Sequence, residues 1–260
     1  MLDERMNYSC GYWQNAENLY QAQVNKLDLV CRKLHLKPGM SVLEIGCGWG
    51  SFAKYASENY GVRVHGITIS KEQLVLAKNS CKGLDVDFEL KDYRDLNAKY
   101  DRIVSIGMFE HVGYKNYKNY MKVVNRCLKD DGLFLLHTIG RNSSSHATDP
   151  WINKYIFPNG MTPSSSQIGN AVEDFFVIED WHNFGQDYDA TLMSWNANFQ
   201  NNFHLLKDTY DETFKRMWEY YLLMCAGTFR ARRNQLWQLV LSKKGVRGGY
   251  SYKGQTRFMS

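Results

Sequence analysis

Val42-Leu43-Glu44-Ile45-Gly46-Cys47-Gly48-Trp49-Gly50 is the stretch whose reading decides the fold. A short apolar run, 41–45, ends in glycines and leads into helical periodicity over 50–59. An apolar run bounded by glycines reads as a buried parallel strand. Glycines after it let the backbone turn tightly and approach a ligand closely. A dinucleotide fingerprint would place its third glycine at position 51, which is Ser51 here, so the pattern is GxGxG. A bare tight turn and an NAD site are the two alternatives weighed against a nucleoside-bearing ligand of another kind.

Outward from the turn, strand and helix signals alternate. Residues 17–34 place Leu27, Val30, Cys31 and Leu34 on one helical face, and Lys37-Pro38-Gly39 ends that helix. Further strands are expected over 62–67, 85–90, 102–106 and 132–139, with helices over 71–81 and 116–128. Alternation of this kind predicts an α/β, doubly wound parallel sheet. After Gly140 comes a polar loop, then 16 Phe, Trp and Tyr residues between 151 and 221. Helices are expected over 190–206 and 210–229, with a closing edge strand over 236–241. This half reads as sheet completion plus an aromatic-rich cap over the C-terminal ends of the strands, where open α/β sheets bind ligands.

Glu44, just before the turn, can orient the loop or meet the cationic side of S-adenosylmethionine. No acid ends the second strand, where a methyltransferase usually holds the ribose, but Thr68, Ser70 and Gln73 can hydrogen-bond sugar hydroxyls. Past the third strand, Asp92-Tyr93-Arg94 offers a planar ring for adenine and a carboxylate for its amino group. The plain alternative for each is a loop or capping residue.

Composition narrows the class. A chain of 260 residues buries roughly 70–75% of its unfolded surface, ample for one large core. Charged residues are 23% and hydrophobic ones 44%, which excludes disorder as the main state. No run of ~18 apolar residues occurs, and the first ten residues lack the apolar stretch of a secretory signal. The six cysteines are widely spaced, show no metal-ligand pattern, and read as reduced thiols of a cytoplasmic protein; no metal is expected. The net charge of +5 is uneven: eight cations follow Glu219 with no acid among them, leaving −3 for the rest. A polyanionic partner or a merely solvated basic tail would both fit.

Longer motifs carry a resemblance. Tyr8-Ser9-Cys10-Gly11-Tyr12-Trp13, VLEIGCGWGSFAKYA, GITISKEQ, KDYRDL, DRIVSIGMFEHVG, DPWINKYIFPNG, EDWHNFGQDYDATLMSW and CAGTFRAR resemble the cyclopropane-fatty-acyl-phospholipid synthases, with the mycolic acid cyclopropane synthases as relatives. The similarity covers about residues 1–242. It implies a seven-stranded, mostly parallel class I methyltransferase sheet with a helical cap. The implied domains are a catalytic domain over 1–245, with the cap inserted at about 141–230, and a basic tail over 246–260. Implied also is a cytoplasmic enzyme, peripheral to the inner face of the membrane. It would transfer the methyl of S-adenosylmethionine to a cis double bond of an unsaturated phospholipid; the carbocation then loses a proton to bound bicarbonate and closes a cyclopropane ring.

Carried onto this chain, the bicarbonate holders would be Glu110, His137 and Tyr188 by their side chains, with Cys10 and Ile139 through backbone groups. Cys225 is the position often marked as catalytic in the family, although the chemistry needs no thiolate. The cofactor would be lined by Tyr8, Ser9, the 42–50 segment with Glu44, Gly46, Cys47, Gly48 and Gly50, then Thr68, Ser70, Gln73, Asp92, Tyr93, Arg94 and Ile106. Water would quench a carbocation, so a dry pocket of aromatic faces suits it; core packing explains most of the rings. Expected partners are an unsaturated phospholipid at a membrane surface and a second copy of the chain, with no nucleic acid. Family members usually carry a further N-terminal domain, and Met1 aligns inside their pattern, so a truncated product or short variant is expected. The rival functions are methylation of another acceptor, such as an amine or a fatty acyl chain without ring closure, and a non-catalytic lipid- or nucleic-acid-binding module.

Overall fold

The computed structural model describes residues 1–255; residues 256–260, the last part of the expected basic tail, lie outside the described residues. The elements are α1 (Leu19–Lys33), β1 (Ser41–Ile45), α2 (Ser51–Tyr60), β2 (Arg63–Thr68), α3 (Lys71–Ser80), β3 (Val86–Leu90), β4 (Tyr100–Ile106), α4 (Tyr117–Cys127), β5 (Leu128–Arg141), α5 (Pro150–Tyr155), α6 (Ser165–Val172), β6 (Val177–Asn183), α7 (Gln186–Asn202), α8 (Glu212–Arg230) and β7 (Asn234–Ser242). The seven strands form one sheet in the order β3-β2-β1-β4-β5-β7-β6. Strands β1 to β5 pair in parallel, and β7 runs antiparallel to both β5 and β6.

Local chemistry accounts for these boundaries. Asn18 caps α1 by accepting from Gln21 N, and Arg32 and Lys33 sit in its last turn, where cations oppose the helix dipole. Strand β1 is buried along nearly its whole length, as the uninterrupted apolar run requires. Ser164 and Gln167 form a reciprocal capping box at α6.

Helices cover both faces of the sheet. On one, Leu27 and Val30 of α1 and Leu34 just past its end, with Phe52 and Ala56 of α2, pack on the sheet. On the other, Tyr120, Met121 and Val124 of α4 meet Ile168 and Val172 of α6. A third core joins α7 and α8 through Leu192, Trp195, Phe199, Leu222 and Phe229, with Cys10 and Tyr188 among them. This is the aromatic cap, packed beside Ile139 near the C-terminal end of β5.

Two findings differ from the sequence reading. The run 236–241 is not an edge: β7 lies between β5 and β6, and its residues are buried almost without break. An uninterrupted apolar run is the mark of a strand flanked on both sides. The edge is β6, which the sequence reading missed because Val177-Ile178-Glu179-Asp180-Trp181-His182-Asn183 is half-exposed and lacks clean alternation. The C-terminal charges also find acids from elsewhere in the chain: Arg230 pairs with Asp189 at 2.8 Å and Lys243 with Asp130 at 3.4 Å. Within the described tail, Tyr250 packs against α1, its ring stacked on His35 at 5.1 Å and its hydroxyl donating to Lys33 O at 2.7 Å.

Candidate active site

The turn after β1 opens a cleft of about 490 Å³ at the C-terminal ends of β1, β2 and β4, where the strand order switches. Gly46 has φ +84°, a conformation L side chains rarely adopt, and a Cβ there would meet the Met108 side chain at 2.7 Å. The Gly46 and Cys47 amides both donate to Ile67 O, at 3.0 and 2.9 Å, which pins the turn to β2.

Twelve of the expected cofactor residues line this cleft. Tyr8 and Ser9 come from the N-terminal segment, and Glu44, Gly46, Cys47 and Gly48 from the turn. Thr68 and Gln73 come from the β2–α3 corner, where the Thr68 hydroxyl donates to Gln73 Oε1 at 3.0 Å. Asp92, Tyr93, Arg94 and Ile106 complete the set. The Arg94 guanidinium grips Asp92 at 2.7 Å and holds its carboxyl below the usual range, so Asp92 is already engaged.

Gly50 and Ser70 do not line the cleft. Gly50, at φ +84°, caps α2 and lies against Phe88, Ala77 and Cys81. Ser70 caps α3 by accepting from Gln73 N at 3.2 Å, which is the plain capping role its residue type favours.

Lining residues that the sequence reading missed include Asn7, Lys26, Met108, His111 and Asn116. Lys26 left no distinct signal, since α1 carries further cations at Arg32 and Lys33.

The expected reaction groups lie next to the cleft rather than on its wall. They connect to it through 8–9 and 106–108, and Gly107 N donates to His137 O at 3.0 Å. Glu110 follows β4 in the turn Phe109–His111 and is 9% exposed. Its Oε1 accepts from Ile139 N at 2.7 Å, while Oε2 is buried without a partner among the described residues. Burial pushes this carboxyl up to about 7, against the hydrogen bond from Ile139.

His137, near the end of β5, is 1% exposed. The Gln238 amide nitrogen lies 3.2 Å from its Nδ1, leaving Nε2 buried and unpartnered among the described residues. Burial, reinforced by Lys26 and Lys33, pushes its pKa well down, so the ring is neutral; with Gln238 donating to Nδ1, its proton sits on Nε2. Glu110 Oε2 and His137 Nε2 are therefore both buried and open among the described residues.

Tyr188 of α7 is 9% exposed, packs on Phe229 at 4.6 Å, and shares an electrostatic neighbourhood with Cys10, Tyr8, Glu110 and Cys225. The Cys10 thiol is buried and donates to Gly11 O at 3.1 Å. The Ile139 amide is spent on Glu110, so it orients that carboxylate instead of facing a ligand. Cys225 lies on α8 in the aromatic core, where burial pushes its thiol up to about 12. That thiol stays protonated, and among the described residues no cation lowers it.

Residues 1–239 match the mycolic acid cyclopropane synthetase family. The chain belongs to that family. The cyclopropane-fatty-acyl-phospholipid synthase of Escherichia coli K12 is 59% identical over 249 residues, covering 96% of this chain and 65% of that relative. The chain therefore spans about 65% of the relative's length. Among solved structures, the cyclopropane synthase MmaA2 from Mycobacterium tuberculosis is 30% identical, with TM-score 0.88 over 93% of this chain and 92% of that one. The mycolic acid cyclopropane synthase CmaA1 complexed with SAH and CTAB is 31% identical, with TM-score 0.87 over 93% and 92% of the two chains. These family members share the seven-stranded methyltransferase sheet described above.

Proposed function

We propose that this chain is an S-adenosylmethionine-dependent enzyme that builds a cyclopropane ring on a cis double bond of an unsaturated phospholipid acyl chain. The observation that carries the reading is the pair of open, buried polar atoms, Glu110 Oε2 and His137 Nε2, set between a glycine-turn cleft and an aromatic core.

The cleft fits the cofactor by the donor set it offers: a close-approach glycine turn, the Thr68–Gln73 pair, the Tyr93 ring and the Glu44 carboxylate. When bound, S-adenosylmethionine supplies an electrophilic methyl group. Bicarbonate also fits, since its hydroxyl can donate to Glu110 Oε2 and its oxygens can accept from His137 Nε2–H; when bound it supplies a small oxygen base.

An alkene is a weak nucleophile, so most of the catalysis is placement and exclusion of water. Tyr8 and Ser9 close one wall of the cleft, and Tyr8 continues into the aromatic core. The rings of Tyr188, Phe229 and Phe157 present π faces that favour a cationic acyl chain over a hydrated one. Ile139 N holds Glu110 in place, leaving Oε2 as the acceptor at which a proton is held. Gln238 fixes the His137 tautomer so that Nε2 donates.

Among the described residues no helix is long and apolar enough to cross a membrane. The exposed Arg232 and Arg233, which no ion pair among the described residues engages, favour an anionic bilayer surface at the inner face, each contributing on the order of 1 kcal/mol.

The test is release of S-adenosylhomocysteine by the chain in the presence of vesicles. Vesicles with cis-unsaturated acyl chains should drive release and fully saturated vesicles should not. Equal release from both, or from neither, contradicts the reading.

A further inference from the structure

Arg141, Arg232 and Arg233 come together at the C-terminal end of β5. Arg141 is the last residue of β5 and pairs with Asn234, the first of β7, while Arg233 immediately precedes that strand. Arg232 O accepts from the Asn142 amide at 2.9 Å and the Gln235 amide at 2.8 Å, which ties the turn between α8 and β7 to the chain just past β5. Arg232 stands at φ +57°, a left-handed conformation that favours glycine or asparagine, so the turn is held against local strain. Arg232 and Arg233 are exposed and Arg141 half-buried. Among the described residues none of the three makes an ion pair. Asp189 of α7 is already engaged by the neighbouring Arg230, through bonds of 2.8 and 2.9 Å.

Side chains two residues apart on a strand share a face. His137, Ile139 and Arg141 therefore form one file along β5, and the ladder to β7 runs past them in continuous register, opposite Gln238, Leu236 and Asn234. The file begins at the open Nε2 of His137, passes Ile139, which packs on the aromatic core, and ends at the cations. Four residues of strand at about 3.3 Å each put about 13 Å between the His137 and Arg141 backbones. In a bilayer the hydrocarbon of one leaflet is about 15 Å deep, under a headgroup layer of about 5–7 Å. The middle of an acyl chain thus lies about 10–15 Å from its phosphate, which is the length of the file.

A planar guanidinium meets phosphate oxygens with two parallel N–H bonds. We propose that Arg141, Arg232 and Arg233 form a subsite for the phosphodiester headgroup of the reacting lipid, whose acyl chain runs along the β5 file to Glu110 and His137. The assignment rests on the phospholipid reading above and adds to it the group that anchors the substrate and sets which part of the chain reaches the reaction groups. It differs from attraction to a charged bilayer, because it acts on the reacting lipid itself, whatever the charge of the surface around it.

Turnover in neutral detergent micelles removes the bilayer's charge and reads the headgroup alone. The probes are two lipids with the same mid-chain cis-unsaturated acyl chains, a phosphatidylcholine and the diacylglycerol that lacks its phosphate, at equal mole fraction. Release of S-adenosylhomocysteine by the wild-type chain should show a KM about tenfold lower for the phosphatidylcholine, the range of one hydrogen bond to a charged group. The triple variant Arg141→Gln, Arg232→Asn, Arg233→Gln, with asparagine chosen to keep the left-handed backbone, should raise that KM by the same factor. Its kcat and its KM for the diacylglycerol should stay within about twofold of the wild-type values. An equal rise in KM for both lipids, or a loss of kcat at unchanged KM, makes the three arginines structural and overturns the proposal. A wild-type KM ratio near one overturns it without any variant, as a site for free phosphate or for bilayer charge alone would give, and the ring-forming reading then stands. If neither lipid drives release, both fall.

Discussion

Glu110 has the most chemistry at stake of any single residue. Its pKa lies near 7 in the folded chain against an ordinary 4.5, because burial penalises the carboxylate. As a hydrogen-bond acceptor at Oε2 it must be ionised, so kcat/KM should rise with pH through about 7. Glu110→Gln should remove that limb and lower turnover by about two orders of magnitude or more, with cofactor affinity retained. The sign for stability is opposite. Between 4.5 and about 7 the unfolded chain ionises this carboxyl while the folded chain resists, so its contribution to stability falls as pH rises. Urea unfolding at several pH values should show that decline in the wild-type chain and a weaker one in Glu110→Gln.

Cys225 gives the contrary case. A thiol held near 12 with no cation beside it is no nucleophile at neutral pH, so Cys225→Ser should keep at least about half of the turnover. Loss of activity in a folded Cys225→Ser variant would reinstate the thiol.

At this scale the motifs legible in the sequence were those that repeat a family pattern, such as the Glu110 and His137 segments. Lys26 was not legible, because a buried cation inside an amphipathic helix looks like a surface residue until its partners Asn7 and Ser9 are seen.

Among the elements, the glycine turn behaved as its sequence required, while its third glycine serves a different end. Gly50 faces Phe88 Cζ, 2.9 Å from where its Cβ would stand, and the Ala77 Cβ at 3.2 Å. Gly50→Ala should therefore cost roughly 1–3 kcal/mol of stability through strain and overpacking, read by thermal unfolding, while cofactor contacts in the cleft change little. The strands β1, β4 and β5 could be read from their apolar runs next to glycines, and β3 from the alternation of Val86, Phe88 and Leu90 with acids. Strand β6 could not: its Glu179, Asp180 and His182 disguise a strand with one unpaired edge. Amide exchange distinguishes the two last strands. The amides of β7, bonded on both sides, should be among the slowest to exchange, and those of β6 markedly faster. Fast exchange throughout β7 would contradict its interior position.

For the whole molecule, the uneven charge takes on a more limited meaning. The cations after Glu219 are eight in number, but Arg230, Lys243 and Lys244 already face acids from elsewhere in the chain. Arg232 and Arg233 are exposed beside the start of β7 and near the cap helix α8. Vesicle association should thus depend on anionic lipid and weaken with added salt, measured by sedimentation. Association unaffected by either would remove the electrostatic part of the account and leave the chemistry.

The central claim, ring formation on an acyl chain, is tested most directly by the structure of the lipid product. Unsaturated phospholipid incubated with the chain, S-adenosylmethionine and bicarbonate should gain one CH₂ per reacted chain, and the product should no longer be cleaved by ozone. A lipid that gains nothing, or one that gains CH₂ yet still yields ozone-cleaved fragments, would contradict it.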